Sequence, residues 1–165
     1  MKASLEKNFL VLLSAHQGII YKVSRTYAPT LEARQDLFQE IVVSLWKAYP
    51  SFKGAAKVST WFYQVALNTA ITNYRREKRR IQYQALDTLS FEPSASSFQE
   101  SDEEAVQLLY QAIGRLSTLD KAVILLYLEE LPYKEISQVL GISPATVGMR
   151  LMRAKEKLTT LLTNV

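Results

Sequence analysis

The stretch EISQVLGISPATVGMRLMRAKEKL, residues 135–158, decides the fold of the C-terminal part of the chain. Gly141 interrupts it where a first helix must end, because a residue without Cβ adopts the left-handed conformation of a helix C-cap at little cost. Ser143 is then a suitable N-cap for a second helix, with Pro144 at its first position. Two helices joined by so short a turn predict a helix-turn-helix, whose second helix enters the major groove of DNA. A plain helical hairpin inside a bundle is the alternative interpretation.

The predicted second helix has one continuous apolar face. Its apolar residues step by four, three, four and three positions, which is the spacing of a single buried helix face. These residues are Val147, Leu151, Ala154, Leu158 and Leu161. On the opposite side, Gly148 and Met149 stand where a DNA-reading helix usually carries polar or charged side chains. Glycine inside a helix costs about 1 kcal/mol relative to alanine, so its presence here needs a local reason.

The remainder of the chain has the periodicity of further helices, and no segment alternates as a strand would. A first helix is predicted over about 4–26, and a second one that ends near Pro50. A third is predicted from about 61 to 80, with Ser59 or Thr60 as its N-cap. The predicted helices of the C-terminal part cover about 105–115, 118–130, 133–140 and 144–162.

Composition divides the chain into three parts. Residues 1–83 carry a net charge of +8, residues 84–104 a net charge of −6 and residues 105–165 a net charge of +2. The middle part, QALDTLSFEPSASSFQESDEE, is rich in serine, proline and acid and has no apolar helix face, so it predicts a flexible acidic linker. The expected fold class is therefore all-α, with two small helical domains on a tether. The segregated charge also favours a polyanionic partner that both ends contact.

Several protein classes are excluded by what the sequence contains. The chain has no cysteine, which excludes a disulfide framework and cysteine-ligated zinc and favours a reducing compartment. No apolar run approaches the roughly 20 residues that cross a bilayer, so no membrane insertion is expected. The N-terminal segment lacks the pattern of a signal peptide, and a cytoplasmic location is expected. The single histidine, His16, lies on an apolar helix without metal-ligand spacing or a glycine-rich phosphate loop nearby, so neither catalysis nor a cofactor is expected.

Two neighbouring features of the N-terminal part have the chemistry of a single-strand binding surface. The loop with Lys53, Gly54 and Lys57 offers two cations and small residues between aromatic neighbours, which suits phosphates and an unstacked base. The helix that follows ends in NYRREKRR, where five of the six residues 75–80 are basic, a pattern that tracks phosphates. The candidate contacts on this helix are Asn68 and Asn73, whose amides suit base edges, and Arg75, Arg76 and Arg79. A plain surface loop and a solvated basic face are the alternatives.

Two separate parts of the chain resemble one known family. One resemblance is to region four of bacterial RNA polymerase sigma factors, and it covers LSTLDKAVILLYLEELPYKEISQVLGISPATVGMRLMRAKEKL, residues 116–158. The other is to region two of the same factors, and it covers DLFQEIVVSLWKAYPSF, residues 36–52, and STWFYQVALNTAITNYRR, residues 59–76. The layout of two helical domains with a short acidic linker is similar to that of the extracytoplasmic-function (ECF) group.

The resemblance implies a function and three sets of contacts. The function is that of an alternative sigma factor, with core RNA polymerase, promoter DNA and an anti-sigma factor as partners. The region-two helix of the family grips the polymerase clamp, which implies core contacts for Asp36, Gln39, Glu40 and Trp46, although Trp46 is equally well explained as a core residue. The loop and the basic helix would bind the −10 element. The −35 element would be contacted by Tyr133, Lys134, Ser143, Thr146, Met149, Arg150 and Arg153.

The chain departs from the family pattern at several positions. In the recognition helix, Gly148 and Met149 replace a basic residue and a serine. Apolar contact of Met149 with a thymine methyl, together with DNA shape, is therefore expected to replace hydrogen-bond readout there. Thr72 stands where an acid is usual, and Ser117 where a proline is common. The alternative function is a stand-alone helix-turn-helix regulator of operator DNA, which the long acidic linker and the lack of a dimer seam count against.

Overall fold

The computed structural model describes residues 2–85 and 104–164. The described residues form helices joined by short turns and contain no strand, which confirms the predicted all-α class. The acidic linker expected over 84–104 lies outside the described residues except at its two ends. The α-helices are α1 (Lys2–Tyr27), α2 (Leu31–Ala48), α3 (Val58–Ala85), α4 (Glu104–Ile113), α5 (Thr118–Leu128), α6 (Tyr133–Leu140) and α7 (Pro144–Thr163), and a short 3-10 helix, Tyr49–Ser51, follows α2.

The helices α1, α2 and α3 form the N-terminal half around a shared core. Ile20 of α1, Ile41 and Leu45 of α2, and Phe62 and Leu67 of α3 are almost completely buried between them. Each of these helices has one apolar face at the spacing that the sequence predicts, so three amphipathic helices can bury their faces against one another.

The third helix begins earlier than the sequence predicts. It starts at Val58, and Ser59 and Thr60 lie within its first turn, so the prediction that one of them is the N-cap is wrong. The backbone N–H of Trp61 donates to the carbonyl of Lys57, which closes the first turn. Val58 packs partly against the core, and this burial favours the longer helix over a cap two residues later.

The helix-turn-helix caps agree with the sequence prediction. Gly141 has a φ of 69°, and its N–H donates to the Ser137 carbonyl, as a left-handed C-cap requires. The Ser143 hydroxyl accepts from the Thr146 N–H at 3.1 Å, and Pro144 opens α7. These caps fix the short turn and therefore the angle at which α7 leaves α6.

The helix α5 lies in the centre of the C-terminal half, α4–α7, and is buried over six consecutive residues, 121–126. A helix buried on all sides must be covered from more than one direction. Helices α6 and α7 pack against α5, and α1 of the N-terminal half contacts both α4 and α5. Helix α3 also contacts α6. The two halves therefore pack against each other. Within the described residues, no helix has both the length and the hydropathy needed to cross a membrane.

Candidate nucleic-acid interface

The loop between the 3-10 helix and α3 is held at its base and open at its tip. The Phe52 ring stacks on the Trp61 ring with centroids 4.7 Å apart, and Trp61 is buried in the core. Gly54 has a φ of 74°, a left-handed conformation that favours glycine and turns the chain. Lys53 and Lys57 on either side of it are exposed. The two lysines can bind phosphates, and the glycine leaves room for a base to approach the backbone, so this anchored loop is suited to single-stranded nucleic acid.

The end of α3 that follows presents cations to solvent. Arg75, Arg76 and Arg79 are all exposed, and so is Asn68 two turns earlier. The loop lysines lie before the first turn of α3 and these arginines lie about five turns along the same helix, so α3 carries exposed cations at both places. Such a surface attracts the phosphates of a nucleic acid.

A carboxylate from α2 holds two of the candidate DNA contacts. The Asn73 amide donates to Glu40 Oε2, and the Arg76 guanidinium lies 3.6 Å from Glu40 Oε1. The sequence assigns Glu40 to the core polymerase and Asn73 and Arg76 to DNA, whereas the structure brings all three together. Glu40 and Arg76 line a groove of about 740 Å³ between α2 and α3, with Asp36 and Asn68.

The other residues expected to contact core polymerase lie on α2. Asp36 and Gln39 are exposed. Trp46 is half-buried, and its ring centroid lies 5.1 Å from that of Phe9. Trp46 therefore packs against α1 and leaves part of its ring accessible, while its contact with core polymerase stays a prediction.

The surface of the helix-turn-helix presents most of the residues expected to meet the −35 element. Met149 is 47% exposed, so its side chain is accessible to a partner. Tyr133, Lys134, Ser143 and Arg153 are exposed, and Thr146 is half-buried beneath the Ser143 hydroxyl.

Gly148 lies beneath the ring of Tyr133. A Cβ at position 148 would lie 3.5 Å from Cε2 of Tyr133, which is ordinary van der Waals contact. The Tyr133 ring, from the first residue of α6, thus covers the part of α7 where the family carries a basic side chain. Because this contact leaves room for a Cβ, the structure shows no steric need for glycine at position 148.

Arg150 is not free in the structure. Its guanidinium donates to the Asp120 carboxylate at 3.1 Å, which connects α7 to the first turn of α5. The Ser117 hydroxyl accepts from the Asp120 N–H at 3.3 Å and caps α5. A serine at the position where the family often has proline thus supplies a cap. Sequence reasoning missed Asp120 because its partner is 30 residues away on another helix.

The two candidate DNA surfaces lie side by side. The Lys57 ammonium, at the end of the N-terminal loop, lies 3.3 Å from the Glu135 carboxylate in α6 of the helix-turn-helix. Lys22 of α1 and Glu129 at the end of α5 form a second pair at 2.6 Å. Nothing in the sequence predicts either pair, because each joins residues from opposite halves.

Tyrosines and a lysine occupy the centre of the contact between the halves. The Tyr27 hydroxyl donates to the Thr118 carbonyl at 2.8 Å, and burial raises the pKa of Tyr27 above its ordinary value. Lys121 is 3% exposed and lies over the ring of Tyr74. Burial lowers the pKa of Lys121, and the nearby Lys78 lowers it further. Burial, and then the Glu129 carboxylate, raise the pKa of Tyr63.

Comparison with known families finds a match for each half of the chain. The family "Sigma-70 region 2" matches residues 12–80, and the family "Sigma-70, region 4" matches residues 106–158. Together the two matches cover more than half of the chain. The chain belongs to the sigma-70 family. The loop and basic helix of this sigma factor lie within the region 2 match, and its helix-turn-helix lies within the region 4 match.

Similar curated proteins belong to the ECF group. The ECF RNA polymerase sigma-E factor of Escherichia coli (strain K12) is 28% identical over 162 residues, 92% of this chain and 84% of the relative. The protein of the same name from Salmonella typhimurium (strain LT2) has the same identity and coverage. The ECF RNA polymerase sigma factor SigG of Mycobacterium tuberculosis is 28% identical over 158 residues, 80% of this chain and 42% of the relative. This sigma factor is therefore of the ECF type.

Two solved structures share the fold. The sigma factor RpoE from Bartonella quintana, solved in complex with the anti-sigma factor NepR, matches with a TM-score of 0.73 at 19% identity over 97% of both chains. CnrH, solved in complex with the cytosolic domain of CnrY, matches with a TM-score of 0.67 at 22% identity, over 96% of this chain and 90% of that chain. At such identities the likeness establishes the fold alone.

Proposed function

We propose that this chain is an alternative sigma factor that binds core RNA polymerase and directs it to promoters. It is not itself an enzyme: it supplies promoter choice and starts strand opening. One observation carries the proposal, namely that a single chain contains regions 2 and 4 in order, each with exposed side chains suited to DNA. Because core RNA polymerase acts on the chromosome, we infer a cytoplasmic site of action.

The N-terminal part, residues 1–83, is the proposed unit for core polymerase and the −10 element. Lys53 and Lys57 bind phosphates of the melted strand, and Gly54 lets the backbone approach an unstacked base. The arginines at the end of α3 continue the phosphate contact, which is independent of sequence and depends on salt. Asn68 is exposed and supplies an amide for a base edge.

The proposed core contacts are centred on the exposed side of α2. Asp36 and Gln39 face solvent, and the accessible part of Trp46 extends the same surface. Glu40 has a second proposed role besides the polymerase contact, because its carboxylate accepts from Asn73 and lies close to Arg76. It orients the DNA contacts of α3 in addition to contributing to the α2 surface.

The C-terminal part, residues 105–165, is the proposed unit for the −35 element, with residues 84–104 as the linker. The N-terminus of α7 at Ser143 binds a DNA phosphate through its backbone N–H groups, and Tyr133 and Lys134 bind the neighbouring DNA backbone. Met149 contacts a thymine methyl in the major groove. Arg153 is exposed and available to DNA. Arg150 contacts DNA while its guanidinium is also paired with Asp120.

An anti-sigma factor is the third proposed partner. The two solved structures compared above each contain another chain, an anti-sigma factor in one and the cytosolic domain of CnrY in the other. The exposed apolar residues of the helix-turn-helix surface, Met149 among them, would be covered by such a partner in the absence of DNA.

Run-off transcription with purified core enzyme on a promoter library tests the proposal. The expected result is RNA synthesis from defined start points only when the chain is added, with shared −10 and −35 sequences among the active templates. A stand-alone helix-turn-helix regulator would instead elute separately from core polymerase in gel filtration and would start no RNA. That outcome would refute the proposal.

A further inference from the structure

The sulfur atoms of the chain are concentrated on the recognition helix α7. The sequence contains three methionines, Met1, Met149 and Met152, and no cysteine. Met1 lies outside the described residues, whereas Met149 and Met152 both belong to α7. Their two thioethers are therefore the only sulfur groups in the part of the chain that the structure describes.

Both methionine side chains are open to solvent. Met149 is 47% exposed and Met152 is 57% exposed. Neither belongs to the hydrophobic core or to the partly buried residues that pack against it. A small dissolved oxidant can therefore reach both sulfur atoms, and a change in their polarity leaves the packing of the core undisturbed.

The two methionines share the side of α7 that faces away from the core. An α-helix turns by about 100° per residue, so Met149 and Met152 lie about 60° apart around the helix axis. The buried residues Val147 and Leu151 each lie roughly 160° from Met149. Arg153, an exposed residue that is also a proposed DNA contact, lies about 40° from Met149 on the side away from Met152. Met149 is thus at the centre of the outward surface proposed for the major groove.

Other side chains that oxidants attack are less accessible than these methionines. Trp61 is buried in the core, and Trp46 is half-buried against Phe9. His16 is half-buried as well, with its ring 5.0 Å from that of Phe62. Because the sequence has no cysteine, it lacks the thiolate that reacts most readily with such oxidants. Oxidation of the folded chain is therefore directed to α7.

We propose that Met149 and Met152 are sites of reversible oxidation and that their sulfoxides weaken binding of the −35 element. A lone pair of the thioether sulfur attacks one oxygen of hydrogen peroxide, an S–O bond forms as the O–O bond breaks, and the other oxygen leaves as water. The sulfur loses two electrons and the peroxide gains them. Methionine sulfoxide reductases reverse the step: two thiols are oxidised to a disulfide, and the oxygen leaves as water.

The effect on DNA binding follows from the polarity of the sulfoxide. This part rests on the proposed function, whereas the oxidation itself does not. A sulfoxide replaces a flexible apolar group by a polar one. Against a thymine methyl the polar group loses the apolar contact and gives up water without gaining a hydrogen bond. Oxidation of Met149 is therefore expected to lower −35 binding about fourfold, the value of one buried methyl group, and oxidation of Met152 by less.

Peptide mass spectrometry of the folded chain after treatment with hydrogen peroxide tests the sites. N-acetylmethionine amide in the same tube is the fully exposed standard. Met149 and Met152 are expected to gain one oxygen each at rates comparable to that of the standard, and before Trp46 or Trp61 gains any. Circular dichroism should show unchanged helix content. Earlier oxidation of a tryptophan, or methionines that react far more slowly than the standard, would overturn the proposal.

Run-off transcription tests the consequence for initiation. The chain is oxidised, freed of peroxide and then added to untreated core polymerase, on templates with and without a −35 element. Initiation that depends on the −35 element should fall about fourfold relative to the untreated chain, for the loss of one methyl contact. Methionine sulfoxide reductases A and B should restore it. Unchanged −35-dependent initiation, or an equal fall on both templates, would contradict the proposal.

The Met149→Leu/Met152→Leu variant is the matched control, because leucine is apolar and cannot gain the oxygen. Compared with its own untreated sample, this variant should not respond to peroxide. A fall as large as that of the wild type would show that another group is responsible and would overturn the proposal. If the untreated wild type starts no RNA on any template, the proposed function fails, and the peptide masses still decide whether Met149 and Met152 are the oxidised sites.

Discussion

The guanidinium of Arg150 lies 3.1 Å from the carboxylate of Asp120, so the recognition helix is joined by its own candidate DNA contact to the helix behind it. Arg150 can therefore either bind a DNA phosphate or hold α7 in position against α5. Since both side chains are partly exposed, the pair itself contributes about 0–1 kcal/mol to stability. The effect of its loss on DNA binding depends on which of the two tasks dominates.

Replacing each partner separately distinguishes the two tasks. Arg150→Ala is expected to weaken −35-dependent initiation and to reduce the salt slope of DNA binding by about one, because one phosphate contact is lost. Asp120→Asn keeps the cation and is expected to leave that slope unchanged. Core polymerase affinity should be the same in both variants. If Asp120→Asn weakens DNA binding as much as Arg150→Ala does, the arginine positions α7 and does not bind phosphate.

Gly148→Ala is expected to stabilise the protein. The added Cβ meets the Tyr133 ring at an ordinary contact distance, and glycine inside a helix costs about 1 kcal/mol relative to alanine. Thermal unfolding should therefore show an increase in Tm. Gly141→Ala is the matched control, because its φ of 69° imposes strain on any residue with a Cβ, and its Tm should fall. A lower Tm for Gly148→Ala would mean that the Tyr133 ring cannot accommodate the methyl group.

The sequence predicts helices and helix caps, which depend on neighbouring residues, but it does not predict contacts between residues that are far apart along the chain. Helix periodicity places the described α-helices, although not the short 3-10 helix Tyr49–Ser51, and the Gly141 and Ser143 caps are recognisable because their chemistry lies within a few residues. The start of α3 is missed because a Ser-Thr pair resembles an N-cap, whereas burial of Val58 extends the helix. Lys121 resembles a solvated lysine in the sequence. Its aromatic partners lie far away along the chain, and no periodic pattern records such a contact.

Lys53→Ala tests the −10 loop without disturbing the contact between the two halves. Lys53 is exposed and has no part in the contact between the halves, unlike Lys57, which pairs with Glu135. Loss of one phosphate contact should weaken binding to a −10 single strand and reduce the salt slope by about one. Lys7→Ala, an exposed lysine on the first turns of α1, is the control and should leave the slope unchanged. Equal effects of the two variants would show a general charge effect.

Glu40→Gln tests whether this residue serves DNA contacts or the polymerase. The substitution keeps the size of the side chain and removes the charge that holds Arg76 at 3.6 Å and accepts from Asn73. We expect −10-dependent initiation to fall several-fold while core affinity changes little. Gel filtration with core enzyme and run-off transcription measure the two quantities. Loss of core affinity in proportion to initiation would assign Glu40 to the polymerase contact alone.

The stability of the folded chain is expected to respond to pH through Lys121. Burial lowers the pKa of this lysine in the folded chain, whereas in the unfolded chain it titrates near the ordinary value of 10.5. The protonated lysine is thus penalised on folding, and the penalty disappears as pH rises through the lowered pKa towards 10.5. Tyr27, whose pKa is raised by burial, acts in the opposite direction at high pH, and Tyr74 and Lys78 also face the site.

Comparison with Lys121→Met isolates the lysine from its neighbours. Both chains contain Tyr27, Tyr74 and Lys78, so the difference between their free energies of unfolding reports the titration of Lys121. This difference is expected to be constant at low pH and to shift in favour of the wild type as pH rises towards 10.5. Denaturant unfolding of both chains, recorded across that range, provides the measurement. A pH-independent difference would mean that Lys121 is as well solvated in the folded chain as in the unfolded chain, contrary to its 3% exposure.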